Sequence, residues 1–210
     1  MTVLVVASER VEQLPHRYDA CGGHHTRLHP TSGSNAHCGF EQQTPLPKIL
    51  LRARTVEQDV MSDQVVDLLR KAYSDEIETV MNYQTNAIVL DGVRAEEIKE
   101  SLQQDIQEEL NHAEQLGQRL KQLGSRPPAS SEFTARQDSL QPPEDSTDVL
   151  AVIEGVLDAE EGAIETYSAL IDAAEAANDP VTEDLAVTIL ADEEAHRTEF
   201  RGFEKEYRTD

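Results

Sequence analysis

Two glutamates, a tyrosine and a histidine recur in this 210-residue chain at one fixed offset. The first set is Glu76, Tyr83, Glu109 and His112; the second, 84 residues on, is Glu160, Tyr167, Glu193 and His196. In each set the tyrosine follows the first glutamate by 7 positions, the second glutamate follows the first by 33, and the histidine comes 3 later. Intervals kept together in two copies mark a duplicated unit. Carboxylate oxygens and imidazole nitrogens bind divalent cations, and two copies facing each other offer four carboxylates and two imidazoles to a pair of ions. A mixed oxygen and nitrogen donor set with open positions suits iron or manganese better than calcium or a closed structural zinc site. Four carboxylates buried alone would each cost several kcal/mol, and two divalent cations cancel that charge.

These residues need helices to position them. Glu109 with His112, and Glu193 with His196, stand at i and i+3, which project from one side of a helix. A helical period begins near Ser62, read as an N-cap, with Leu69, Ala72, Tyr73, Glu76, Val80, Tyr83, Ala87 and Leu90 on one face. Asp91-Gly92 ends it. A second helix is predicted over 94–123, closed by Gly124, and a third over 147–177, closed by Asn178. A fourth runs to about Lys205, with Asp179 as its cap and Pro180 in its first turn. Between the second and third lie Pro127, Pro128, Pro142 and Pro143, in a stretch long enough to carry the chain back along the bundle. The prediction is an all-α four-helix bundle made of two antiparallel hairpins joined by a long crossover, with each copy of the motif on one hairpin. Glu161 and Glu194, beside the candidate ligands, read as surface neighbours, with Glu194 also a candidate for contact behind the ligands.

The charge of the chain is −23, and all of it falls after residue 60, where 35 acidic residues face 12 basic ones. Such a surface repels phosphate backbones, so nucleic acid is not an expected partner. No run approaches the roughly 20 apolar residues of a membrane span, and Val3 to Ala7 is too short for a signal segment. A cytoplasmic protein is expected. Residues 1–60 lack a sustained period and read as a disordered extension to a 61–210 domain. They hold both cysteines, Cys21 and Cys38, and five of the seven histidines. That Cys/His tract matches no zinc-finger spacing, and zinc there ranks below the disordered reading.

At the duplicated motif the chain resembles the ferritin-like di-iron carboxylate superfamily, above all bacterioferritin and the Dps-like proteins. The likeness runs from Ser62 to near the C terminus. It implies that Glu76 and Glu160 are terminal carboxylates, that Glu109 and Glu193 bridge two iron ions, and that His112 and His196 each bind one. It also places Tyr83, the candidate catalytic tyrosine, beside the centre. Tyr83 and Tyr167 each read either as a redox participant or as a packed core group whose hydroxyl a carboxylate satisfies. The implied activity is that of a ferroxidase, an oxidoreductase oxidising ferrous iron with dioxygen or hydrogen peroxide, for iron storage or oxidative-stress protection. The alternatives are a rubrerythrin-like peroxidase, a manganese catalase, or a non-enzymatic bundle that holds metal. Leu110 stands where bacterioferritins place a haem-binding Met, so haem is not expected. Only 14 residues follow His196, which points to a dimer or a Dps-like shell as the homo-oligomer. Lys48 is the one lysine of the extension, against the Lys-rich tails of DNA-protecting relatives. Ala163 occupies the position of an additional rubrerythrin glutamate, and rubredoxin-like cysteine pairs are missing.

Overall fold

The computed structural model describes the backbone of residues 48–209 and the side chains of residues 60–209. Four helices account for most of it: α1 (Lys48–Val89), α2 (Ala95–Gln122), α3 (Val149–Ala177) and α4 (Pro180–Tyr207). The expected arrangement is the one observed. α1 pairs with α2 and α3 with α4, and the two hairpins meet chiefly through α1 and α3.

Each helix ends where the local chemistry requires. Gly92 and Gly124 adopt φ of 102° and 78°, and Asn178 closes α3 at φ 56°. These are left-handed conformations, which glycine adopts freely and asparagine tolerates. Asp148 and Asp179 accept from the backbone N–H groups of Ala151 and Thr182, capping α3 and α4. Asp179 also takes both of its oxygens to within 2.8 Å of the Arg119 guanidinium, tying the end of α2 to the start of α4.

One boundary differs from the sequence expectation. α1 begins at Lys48 and passes Ser62 without a break, so Ser62 is an exposed helical residue and not an N-cap. The reason is local: Lys48 to Met61 contains no Gly or Pro and includes Leu50, Leu51, Ala53 and Glu57, all good helix formers, so the helix needs no amphipathic period to continue. The Cys21 to Cys38 tract and the rest of the expected extension up to residue 47 lie outside the described residues.

The crossover runs beside α1 from one end of the bundle to the other. Its partners advance in step along the helix. Arg70 donates to the carbonyl of Arg126, Asn86 Nδ2 to that of Leu140, and the Asp91 amide to that of Ser146. Midway, the buried Glu78 carboxylate accepts three backbone bonds, two from Arg136 and one from Gln137, at 2.8–2.9 Å. Charge-assisted bonds of this kind are roughly twice as strong as neutral ones. On the α3 side the crossover instead comes in close. A Cβ on Gly155 would lie 2.5 Å from the Ser139 carbonyl oxygen, so only glycine fits there.

The apolar core falls into two clusters. One, at the α1–α2 turn, gathers Tyr83, Leu90, Ile98, Leu102, Ile153 and Phe200; the other gathers Leu69, Leu116, Leu120, Tyr167, Leu170 and Ile189. Each fully buried Leu, Ile or Phe contributes about 1.5–3 kcal/mol. Val80, expected on the inward face, is part-buried.

Two stability measurements check this account. Gly155→Ala gains up to about 1 kcal/mol of helix propensity but overpacks the crossover at a cost of about 1–3 kcal/mol, so urea unfolding should show a net loss. Gly162→Ala, with open space around its Cβ, should show only the gain. Asp179→Ala should cost about 1–2 kcal/mol at neutral pH as the cap is lost. Burial opposes ionisation of Asp179, yet the bonds from Arg119 and Thr182 hold its pKa below the usual value. A depressed carboxyl stabilises above its unfolded pKa, about 3.9, and loses that contribution as pH falls through the folded value. The gap between parent and variant should therefore shrink on acidification below about pH 4.

Candidate metal centre

Between the two apolar clusters lies a belt of six polar residues. Glu76, Glu109, His112, Glu160, Glu193 and His196 are all buried, none more than 5% exposed. The structure brings together every ligand candidate expected from the repeat. Their atoms form two groups, Glu76, Glu109, His112 and Glu193 in one and Glu109, Glu160, Glu193 and His196 in the other, each with its ligand atoms within 4.8 Å of one another. Glu109 and Glu193 belong to both.

The two shared glutamates each divide their oxygens between the two imidazoles. Glu109 directs Oε2 at Nδ1 of His112 (3.3 Å) and Oε1 at Nδ1 of His196 (3.4 Å). Glu193 does the same, with Oε1 3.2 Å from His112 Nδ1 and Oε2 3.9 Å from His196 Nδ1. Glu76 and Glu160 approach only one imidazole each, His112 and His196 respectively, both at 3.9 Å. Each end of the belt thus has one private carboxylate, one imidazole and one oxygen from each shared glutamate.

Both tyrosines hold the private carboxylates, and each does so across the hairpins. Tyr83 on α1 donates to Glu160 Oε1 on α3 at 2.5 Å, and Tyr167 on α3 donates to Glu76 Oε1 on α1. Burial, and then the charge of those glutamates, pushes both phenols well above their usual pKa, so the hydroxyls remain donors. Sequence reasoning read both tyrosines as part of the repeat but named only Tyr83 as the catalytic candidate; the structure gives Tyr167 the equivalent place.

The outer nitrogens of the imidazoles meet carboxylates that sequence reasoning missed. His112 Nε2 lies 3.3 Å from Asp192 Oδ2, and His196 Nε2 lies 3.1 Å from Glu108 Oε2. A carboxylate behind a ligating histidine fixes the ring and raises its basicity. Glu108 and Asp192 are themselves 84 residues apart, so the offset was the available signal. Glu161 and Glu194 are exposed and pair with Arg201 and Arg197.

The electrostatics are those of a centre built around positive charge. Burial first, and then the neighbouring carboxylates, push Glu76 and Glu160 well above the ordinary glutamate range. Burial works the same way on Glu109, but hydrogen bonds from His112, His196 and Glu76 outweigh it and bring its pKa down. Burial would lower both histidines; the bonds and charge of the glutamates reverse this, raising His112 to about 10 and His196 to about 11. Glu160 Oε2 is buried without any hydrogen-bond partner, and Glu109 Oε1, Glu193 Oε1 and His196 Nδ1, also buried, have only the poorly aligned imidazole–carboxylate contacts given above. Unsatisfied buried carboxylates and an imidazole pointing into one volume fit a pair of divalent cations.

A cavity of about 190 Å³ reaches all four glutamates from the surface. Its mouth lies between α1, α3 and the crossover, beside Lys71, Asp75, Arg136 and Asp158. The mouth charges are largely paired: Asp75 binds Lys71 at 2.6 Å and Arg136 at 3.3 Å. Ala163 lines the same cavity.

Comparison with known proteins places this architecture. The chain is similar to a bacterioferritin of Desulfovibrio desulfuricans, 27% identical over 135 residues that cover 64% of this chain and 71% of that protein. The crystal structure of the Desulfovibrio desulfuricans bacterioferritin, described for its diiron site in different catalytic states, superposes with a TM-score of 0.63 at 23% identity, over 72% of this chain and 84% of that one. The dodecameric thioferritin of Bacteroides fragilis superposes with a TM-score of 0.64 at 19% identity, over 75% and 95%. A ferritin-like domain model matches residues 66–208, a span that takes in both copies of the motif and the crossover between them. The chain belongs to the ferritin-like domain family.

Proposed function

We propose that this protein is a ferroxidase, in which Glu76, Glu109, His112, Glu160, Glu193 and His196 hold two ferrous ions for oxidation by dioxygen or hydrogen peroxide. The observation that carries the reading is the division of each shared carboxylate, one oxygen to each imidazole. Two bound ferrous ions supply two electrons, which take dioxygen to the level of peroxide or, with two protons, take hydrogen peroxide to water. The chain's own part is to fix the geometry. Tyr83 and Tyr167 clamp the private carboxylates, Asp192 and Glu108 orient the imidazoles, and the apolar clusters on either side keep bulk water out. The cavity between α1 and α3 gives a small oxidant a path to all four glutamates.

Iron storage or oxidative-stress protection follows as the use of such a reaction. The relatives support an assembly of several copies, since the Bacteroides fragilis protein is dodecameric. Met81, Ile88 and Leu110, apolar and exposed on α1 and α2, are available for contact with further copies. Among the described residues no helix is long and apolar enough to cross a membrane.

Ferrous iron titrated under air should be oxidised with about one dioxygen consumed per two ferrous ions, over repeated additions and not only the first. Glu109→Ala and Glu193→Ala should each abolish this, because both ions then lose a shared ligand. Parent-like oxygen-electrode rates in both variants would remove the mechanism. Independently of turnover, a divalent cation at about 100 times its Kd should add about 2.7 kcal/mol of stability. Thermal melts with cobalt(II) or manganese(II) should show a raised midpoint that a chelator reverses.

A further inference from the structure

The 84-residue offset allows every group around one histidine to be compared with its counterpart around the other. The correspondence holds for the six ligand candidates, for the two tyrosines, and for Glu108 and Asp192 on the outer nitrogens. It fails one helical turn earlier on α2. Asp105 stands at ion-pair distance, 3.9 Å, from Nε2 of His196. Its counterpart is Ile189, fully buried in the apolar cluster on the His112 side. The neighbours of Asp105 break the symmetry as well. Ser101 donates to Glu199, whose charge acts on Asp105; their counterparts are Leu185 and Gln115. The outer side of His196 therefore carries Glu108 and Asp105, with Glu199 beside Asp105, where the matching positions around His112 carry one carboxylate, Asp192.

Asp105 is also held at a cost. It is only 7% exposed, and its Oδ2 has no hydrogen-bond partner. A buried carboxylate in that condition is retained where positive charge offsets it. The positive charge within reach is His196 and any cation that His196 binds.

We propose that Asp105 makes the two metal positions unequal, so that the position formed by Glu160 and His196 takes the first divalent cation and the one formed by Glu76 and His112 takes the second. Asp105 is a positioning residue: it acts through the His196 ring and through its charge, without touching the ion. Loss of a carboxylate partner behind a ligating histidine lowers metal affinity about 10–100-fold. His196 has its hydrogen-bonded carboxylate in Glu108 and, in Asp105, a further charge at ion-pair distance that His112 lacks, and that added charge should separate the two positions by a factor of up to that order. Because Glu109 and Glu193 serve both positions, the first ion also orders two of the ligands for the second.

Cobalt(II), titrated into the full-length protein and followed by its visible d–d absorption, tests this without any turnover. The parent should bind two ions per chain in two steps, the first about 10–100 times tighter. His112→Ala should keep the tight step and His196→Ala should remove it. Asp105→Asn, with the same shape and no charge, should keep two ions and the helical circular dichroism but bring the steps close together. Two equal steps in the parent, a tight step surviving in His196→Ala, or parent-like separation in a folded Asp105→Asn would each overturn the proposal. The two histidine variants decide the loading order even if Asp105→Asn does not fold. The inference rests on the two-ion reading above, and the titration separates them: a total other than two ions per chain defeats that reading, whereas two ions in equal steps defeat this one alone.

Discussion

Four carboxylates gathered in the interior of a small helical bundle are the constraint on which the rest of the structure depends. Left to themselves they repel one another and resist leaving water, and either effect outweighs what one buried leucine contributes. The molecule answers this in three ways. It interposes two imidazoles among the carboxylates. It gives the two private glutamates a tyrosine hydroxyl each. It places an apolar cluster at each end of the belt, so that hydrophobic burial above and below carries the cost of the middle. The charged belt is tolerated because the helices around it are held elsewhere.

The same constraint accounts for the crossover. With the two copies of the motif face to face, the chain here returns along the whole length of the first hairpin before starting the second. That long return cannot be left loose beside a polar centre. It is fastened at Arg70, Glu78 and Asn86 on α1 and at Asp91 just past its end, and pressed against Gly155 on α3. The contrast between the two helices is itself informative. Glu78 on α1 corresponds by the offset to Gly162 on α3, so the hairpins agree where they face the belt and differ where they face the crossover.

How much of this was legible in the sequence follows from which interactions are periodic. The six ligand candidates could be read directly, because a metal centre demands particular side chains and a helix keeps them in register over any distance. The four helices and three of their stops, at Gly92, Gly124 and Asn178, were legible for similar local reasons. Ser62 misled because a good capping residue followed by an amphipathic pattern looks like a start even when the preceding turns are also helical. Glu108, Asp192 and Asp105 were obscured by composition: in a chain with 41 acidic residues, one more carboxylate next to a candidate ligand carries no signal until the two copies are laid over each other. Glu78 was hidden for a different reason. Its partners are backbone amides of an irregular segment, and no spacing in the sequence announces where such a segment will pass.

The exchange of tyrosines between hairpins has a consequence for how the molecule holds together. Tyr83 secures Glu160, and Tyr167 secures Glu76, so a single hairpin owns a complete copy of the motif yet lacks the clamp for its own carboxylate. Separating the halves would leave both private glutamates ungripped at once, together with the imidazoles they neutralise. Local opening at one hairpin is thereby penalised by the other, and the duplicated fold behaves as one cooperative unit whose two parts are mutually indispensable.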